Sequence, residues 1–226
     1  MRERPILFNT EMVRAILDGR KTCTRRLVKF LPGKNPQWTG YIKDGLMLYN
    51  GKNEPCIRKS PYHRGDVLYV RETWGWCPGW DCGMDAVPGG CKHEKDRLYN
   101  NPQKEYGCYL YRASCEDNEY PAADTWHPSI HMPKEATRIW LKVTNVRVKR
   151  LQEITEAEAI LEGAIDNRAF IHSPDNEYDH IHTAREHFID IWNSTIKKSD
   201  LDKYGWLANP LVWVIKFERW KKPGKE

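Results

Sequence analysis

No stretch of the 226 residues comes near the roughly 18 consecutive apolar residues that a membrane-spanning helix needs. The opening residues, Met1-Arg-Glu-Arg-Pro-Ile-Leu-Phe-Asn9, also lack the apolar run of about 7–15 residues that an export signal requires. A cytoplasmic protein is therefore expected. Seven cysteines cannot all be paired within one chain, so free thiols or a metal site are expected ahead of a disulfide framework. No internal repeat is visible. Nor does one sign of charge dominate: 36 Lys and Arg against 31 Asp and Glu leave +5, with a pI near 8.7. That balance permits a phosphate-bearing partner without demanding one, since a purely electrostatic nucleic-acid binder is usually more basic.

What is present fits a globular, well-solvated protein: 40% hydrophobic residues, 30% charged residues and a mean hydropathy of −0.76. The length suits one domain with a large insertion, or one domain plus a small module. Ten tryptophans are many for this length. They serve core and edge packing, or they offer indole faces for base stacking.

Along the chain, Pro5–Phe8 reads as a strand, and Asn9 or Thr10 caps a helix with Met12, Val13, Ile16 and Leu17 on one face. Gly19 ends that helix. Residues 31–60 mix Pro, Gly, Asn and Lys, with a hairpin turn expected at Asn50-Gly51. Val67–Val70 is a strand. Residues 75–125 have little periodicity and are rich in Gly, Pro, Cys and Trp; a structureless loop so long is improbable in a compact domain, so something other than a large core should organise it. Ile139, Leu141 and Val143, then Val146 and Val148, predict two strand segments with a register change between them. Thr155-Glu-Ala-Glu158 reads as a capping box before a short helix ending near Gly163. A second helix is expected over about 179–196, with the stripe Ile181, Ala184, Phe188, Ile191 and Trp192. Leu211–Phe217 is a buried closing strand.

The densest candidate site follows the first helix: Lys21, Arg25 and Arg26, with Thr22 and Thr24 between them. In an extended segment, Thr22, Thr24 and Arg26 share one face, and Lys21, Cys23 and Arg25 the other. A desolvated lysine among cations has its pKa pushed down and can act as base or nucleophile. The cations can instead hold phosphate oxygens, or form a solvated charged turn at the helix C-terminus, where the dipole favours them.

Gly19-x-Lys21-x-x-Thr24-x-Arg26, placed directly after the first helix, resembles the signature of the ASCH superfamily. Further agreement lies in Gly65-Asp66 through Trp74, Trp126-x-Pro-Ser-Ile-His-Met-Pro133, Leu151-Gln-Glu-Ile-Thr155, and Tyr204-Gly-Trp206 with the last strand; these resemble ASCH proteins carried by phages and prophages. The likeness covers 4–29, 61–74, 126–165 and 186–220, about half the chain. It implies an α+β fold: a PUA-like, mostly antiparallel β-barrel flanked by short helices, with an inserted lobe at 75–125 in a single domain spanning 1–226. It also implies RNA or modified-nucleotide binding, with Lys21, Arg26, Arg71, Trp74, Ser129, His131 and Lys142 as candidate contacts. The alternative it implies is a hydrolase. One branch deacetylates acetylated cytidine with a Lys, a Thr and a Glu; the first two fall on Lys21 and Thr24, while the position of the third reads Lys142. Glu72 is then the substitute carboxylate. In a ribonuclease-like member, His127 and His131 could exchange protons. A phage accessory protein that binds a host protein is a further alternative, and a phage origin would place the chain in a bacterial host's cytoplasm.

A second candidate site is the series Cys77, Cys82, Cys91, His93 and Cys108. Structural zinc takes four sulfur or imidazole ligands and can organise a segment that lacks a core, whereas the plain alternative is reduced cysteines. Cys23 and Cys56 read as single thiols. Trp74, Trp76 and Trp80 cluster near this insertion, for stacking or packing. His172, His180, His182 and His187 form no i, i+4 metal pair and read as surface residues. The pocket is expected where Gly19–Arg26 meets Arg71–Trp74 and Trp126–Lys134.

Overall fold

The computed structural model describes residues 2–34, 41–43, 47–50, 52–78, 107–115, 125–168 and 182–221. The fold is α+β. Nine strands run β1 (Glu3–Leu7), β2 (Cys23–Leu27), β3 (Tyr41–Lys43), β4 (Met47–Tyr49), β5 (Val67–Arg71), β6 (Trp74–Pro78), β7 (Gly107–Tyr111), β8 (Trp140–Arg150) and β9 (Leu211–Arg219) among the described residues. Four helices accompany them among the described residues: α1 (Thr10–Leu17), α2 (Glu156–Leu161), α3 (Ala184–Ser194) and α4 (Leu201–Tyr204). Five strands form one mixed, mostly antiparallel sheet in the order β1-β5-β8-β9-β2, and β3-β4 and β6-β7 form two-stranded sheets. No described helix is long and apolar enough to cross a membrane.

The chain clusters into two compact units. The first comprises Met1–Arg2, Asp18–Val67 and Leu141–Trp220. In it β9 is the central strand, flanked by β2 and β8. Its Leu211–Ile215 run is buried without alternation, because both faces are covered. The expected break in β8 is a bulge between Val143 and Asn145, which returns Val146 and Val148 to the face of Leu141 and Val143. On the other face, Cys23, Val212 and Val214 meet Ala159, Ala184, Phe188 and Trp192 from α2 and α3. The helix stripe of α3 thus packs as its spacing predicts, but the helix starts later than expected. Thr183 accepts the Glu186 N–H while the Glu186 carboxylate returns to the Thr183 N–H, a reciprocal cap that fixes the start at Ala184. Ile181 lies outside the described residues.

Two local expectations in this unit need correction. Thr155 does cap α2, accepting the Glu158 N–H at 3.2 Å, but Glu158 does not close a capping box. Its carboxylate bonds Arg25, Arg147 and Lys149, because three cations outbid one neutral amide. The turn expected at Asn50-Gly51 is wider: Asn50 N–H bonds the Glu54 carbonyl, Asn50 Oδ1 accepts the N–H groups of Lys52 and Glu54, and Asn53 takes the left-handed conformation at φ 58°.

The second unit comprises Glu3–Leu17, Leu68–Trp140 and Lys221–Glu226. Asn9 caps α1 through its Oδ1 and the Met12 N–H at 2.9 Å. The start of the Cys/Trp-rich segment is a regular ladder, β6 against β7, with Trp74 opposite Tyr111 and Trp76 opposite Tyr109. These four rings share a face and pack on Met132 and Ala136. A small aromatic core therefore organises this part of the expected lobe. Residues 79–106 and 116–124 lie outside the described residues.

Candidate functional site: a cation-rich sheet face under helix α2

The candidate site lies in the first unit. Strand alternation puts Cys23 and Arg25 of β2 on the face beneath α2 and α3, and Lys21, just before the strand, joins them there. Thr24 and Arg26 alternate to the other face, opposite Ile215 and Trp213.

Lys21 is buried, and its ammonium donates to the Glu162 Oε2 at 3.1 Å, the Glu162 carbonyl at 2.6 Å and the Cys23 carbonyl at 2.8 Å. An ammonium has three protons, and these three acceptors suffice for them. Arg25 donates from Nη1 to Glu162 Oε1 at 2.8 Å and from Nη2 to Glu158 Oε2 at 2.6 Å, with its guanidinium 5.8 Å from the Phe188 ring centroid. Glu158 also takes Arg147 at 3.1 Å and Lys149 at 3.2 Å through its other oxygen. Gly163, at φ 95°, ends α2 in the left-handed conformation, directly after Glu162.

Burial is the largest influence on Lys21, Cys23, Glu158 and Glu162. It pushes Lys21 below the ordinary lysine value, against the pull of Glu162. Burial would raise the Glu162 carboxyl, but Lys21 and Arg25 together hold it below the usual carboxylate range. Glu158 is likewise held low despite its burial by Lys149, Arg25 and Arg147. The Cys23 thiol is pushed up to about 12, chiefly by burial, so it is no nucleophile at neutral pH.

Charge is not balanced within this cluster. Lys21, Arg25, Arg147 and Lys149 contribute four positive charges and Glu158 and Glu162 two negative ones, so 4 − 2 leaves +2. Two buried donors, the Nε of Arg25 and the Nε of Arg147, have no hydrogen-bond partner. Arg147 and Lys149 reach solvent, with side-chain exposures of 37% and 24%. Lys216, half-buried, stands opposite Cys23 on the same face, and Lys142 stands opposite Glu218. The arrangement can hold an acceptor-rich anion at its open side.

The remaining sequence candidates lie in the second unit. Glu72 is buried at 1% exposure, and Arg138 grips both its oxygens, Nε to Oε1 at 2.9 Å and Nη2 to Oε2 at 2.8 Å. Arg71 donates from Nε to the Met132 carbonyl at 2.7 Å. Trp74 lies 4.7 Å from the His127 ring and 5.6 Å from Tyr109, and its backbone pairs with His127 in both directions. Ser129 and His131 belong to a 3-10 turn, His131 exposed and Ser129 half-buried. Of the four histidines read as surface residues, His182 and His187 are half-buried: the His187 Nδ1 accepts the Ile165 N–H at 3.0 Å, and the two rings lie 4.8 Å apart. His172 and His180 lie outside the described residues.

Among the metal candidates, Cys77 and Cys108 occupy paired positions of β6 and β7, while Cys82, Cys91 and His93, with Trp80, lie outside the described residues. Cys23, Cys56 and Cys115 are free thiols. No group of three or more His, Cys, Asp or Glu side chains is placed to hold a metal among the described residues.

Sequence reasoning missed Glu162, Glu158, Arg147 and Lys149 as partners of the Lys21 segment. One signal was available: Glu158 and Glu162 are four apart and so share a helix face. No protein-family model, no curated protein and no solved structure matches this chain.

Proposed function

We propose that the chain binds RNA or a modified nucleotide, with the cation-rich sheet face of the first unit receiving phosphate, on a PUA-like barrel of the ASCH type. The observation that carries this reading is the +2 surplus of the cluster, delivered at its open side by Arg147, whose side chain is 37% exposed and whose Nε lacks a partner. A buried donor left unpaired costs roughly 1–3 kcal/mol, and phosphate oxygens are the acceptors that guanidinium groups match best. In this reading Arg147, Lys149 and Lys216 meet the ligand, and Lys21 anchors the face from beneath. Trp74 and Arg71 of the second unit remain candidate base and phosphate contacts on the strength of the resemblance alone.

A second reading is favoured by one distance. The hydrolase branch needs a carboxylate near its lysine, and Glu162 Oε2 is 3.1 Å from Lys21 Nζ although Lys142 holds the position where the family has Glu. Lys21 and Glu162 would then supply the lysine and the carboxylate of the amidohydrolase set, and Glu72, clamped by Arg138, would not be needed, although Thr24 alternates to the opposite face of β2.

The two readings separate in one experiment. Wild type, Arg147→Ala/Lys149→Ala and Glu162→Gln are titrated with single-stranded RNA, single-stranded DNA and acetylated cytidine, and each mixture is then analysed for cleaved or deacetylated product. RNA binding that falls at least tenfold in the double variant, with all ligands intact, is the expected result. Deacetylated product that disappears in Glu162→Gln would replace binding by hydrolysis. Affinity unchanged in the double variant would remove this face from the account.

A further inference from the structure

One stretch of the first unit gathers cations without counter-charges. The Arg58 N–H bonds the Lys29 carbonyl at 2.8 Å and the Leu31 N–H bonds the Cys56 carbonyl at 2.9 Å, around an antiparallel bridge between Phe30 and Ile57. That register sets Lys29 directly opposite Arg58, and both residues are exposed. Like charges at facing positions repel and destabilise a strand pair. Lys59 follows, and then a turn in which the His63 N–H bonds Asp66 Oδ2 at 2.9 Å and Gly65 takes φ 88°; Lys59, His63 and Arg64 are all exposed. The described residues 28–34 and 52–66 carry six Lys and Arg but only two carboxylates, Glu54 and Asp66. Glu54 is taken by Lys34 at 3.0 Å and by the Asn50 amide at 2.8 Å, and Asp66 holds the His63 turn. Lys29, Arg58, Lys59 and Arg64 have no carboxylate partner among the described residues. Other surface cations find one: Arg20 pairs with Asp18, Lys134 with Glu3 and Arg168 with Asp166.

We propose that Lys29, Arg58, Lys59 and Arg64 form a track for the phosphate backbone of single-stranded RNA, made of residues other than those of the cation-rich face under α2. The inference rests on the reading that the chain binds RNA, and it adds to that reading a second set of contacts. A protein partner needs apolar anchors at the centre of its interface. This stretch offers none: Val28, Cys56 and Ile57 are buried, and no described apolar residue in it other than proline is exposed. Binding by phosphate neutralisation needs only accessible cations, and it positions a strand without reading its bases. The repulsion between Lys29 and Arg58 is then a cost of the fold that a bound phosphate relieves.

The test is the salt dependence of single-stranded RNA binding by the full chain. Wild type is compared with Lys29→Gln/Arg58→Gln, with Lys59→Gln/Arg64→Gln, and with a control, Lys197→Gln/Lys198→Gln, that removes two exposed lysines of the same unit. Each track variant should bind about tenfold more weakly at about 0.1 M salt, with a slope of log affinity against log salt shallower by about 1.4. The control should match wild type. Thermal unfolding reads the fold separately: with the repulsion relieved, Lys29→Gln/Arg58→Gln should be at least as stable as wild type. Track variants whose slopes equal the control's would overturn the inference, even where Arg147→Ala/Lys149→Ala weakens binding, so the two sets of contacts fail separately. If wild type binds no RNA, both fall. Polyglutamate that displaces RNA from wild type at equal charge concentration would also overturn the track, because the surface would then suit an acidic protein.

Discussion

Glu162 of the first unit and Glu72 of the second are both carboxylates sunk in a core, at 5% and 1% exposure, and the two units neutralise them differently. Glu72 has a single guanidinium, Arg138, bound through two parallel hydrogen bonds, and the charges cancel one to one. Arg138 is also held by Ser114 Oγ at 2.6 Å and lies 4.0 Å from the Tyr111 ring centroid, so the pair closes on itself. Glu162 is shared by Lys21 and Arg25, and Arg25 passes on to Glu158, which takes two more cations. A balanced buried pair fixes a fold and leaves nothing over. A chain of pairs that begins in the core and ends in half-exposed Arg147 and Lys149 carries its surplus charge to where a ligand can meet it. That difference, rather than burial, marks the first cluster as the candidate site.

The largest expected effect tests how deeply the first cluster is buried. Glu162→Ala leaves Lys21 and Arg25 short of a counter-charge in the core, and should destabilise by about 3–5 kcal/mol in urea unfolding. Glu72→Ala should cost less, about 1.5–3 kcal/mol, because Arg138 is 25% exposed and can be hydrated once released. Equal losses in the two variants would erase the contrast between the units.

Acid sharpens it further. Glu162 and Glu158 titrate below their ordinary value in the folded chain, so their contribution is present above the unfolded value and is lost as the pH falls through the folded one. Wild-type stability should therefore decline as the pH drops below the usual carboxylate range. Glu162→Gln, measured by thermal unfolding across that range, should show a shallower decline; an unaltered slope would mean that the pair is not charged in the fold. The smallest effect serves as a yardstick. Thr155→Ala in the first unit and Asn9→Ala in the second each remove one helix cap, and each should cost about 1 kcal/mol, well below either carboxylate variant.

Features that depend on a few neighbouring residues were legible in the sequence. The Asn9 cap, the left-handed Gly19, the interruption of β8, the stripe of α3 and the unalternating β9 all follow from local periodicity and turn chemistry. The separation of Lys21, Cys23 and Arg25 from Thr24 was legible for the same reason, since alternation along one strand needs no knowledge of the rest. What meets those faces was not. Lys21 and Glu162 are 141 positions apart, and Glu72 and Arg138 are 66 apart; no periodicity links them, and only the sheet order does. The same distance hid the β6–β7 ladder, because its two short strands are separated by residues 79–106 and only pairing reveals that Trp74 and Trp76 face Tyr111 and Tyr109. Glu158 is the instructive case: its local pattern spells a capping box, and tertiary charge redirected the side chain.

The central claim is that the surplus charge of the first cluster receives phosphate, and the salt dependence of RNA binding tests it most directly. Each phosphate contact on a single strand contributes about −0.7 to the slope of log affinity against log salt. If Arg147 and Lys149 each meet one phosphate, the folded Arg147→Ala/Lys149→Ala variant should show a slope shallower by about 1.4 than wild type. Identical slopes in the two proteins would contradict the account, because the surplus would then be part of the fold and not of a site.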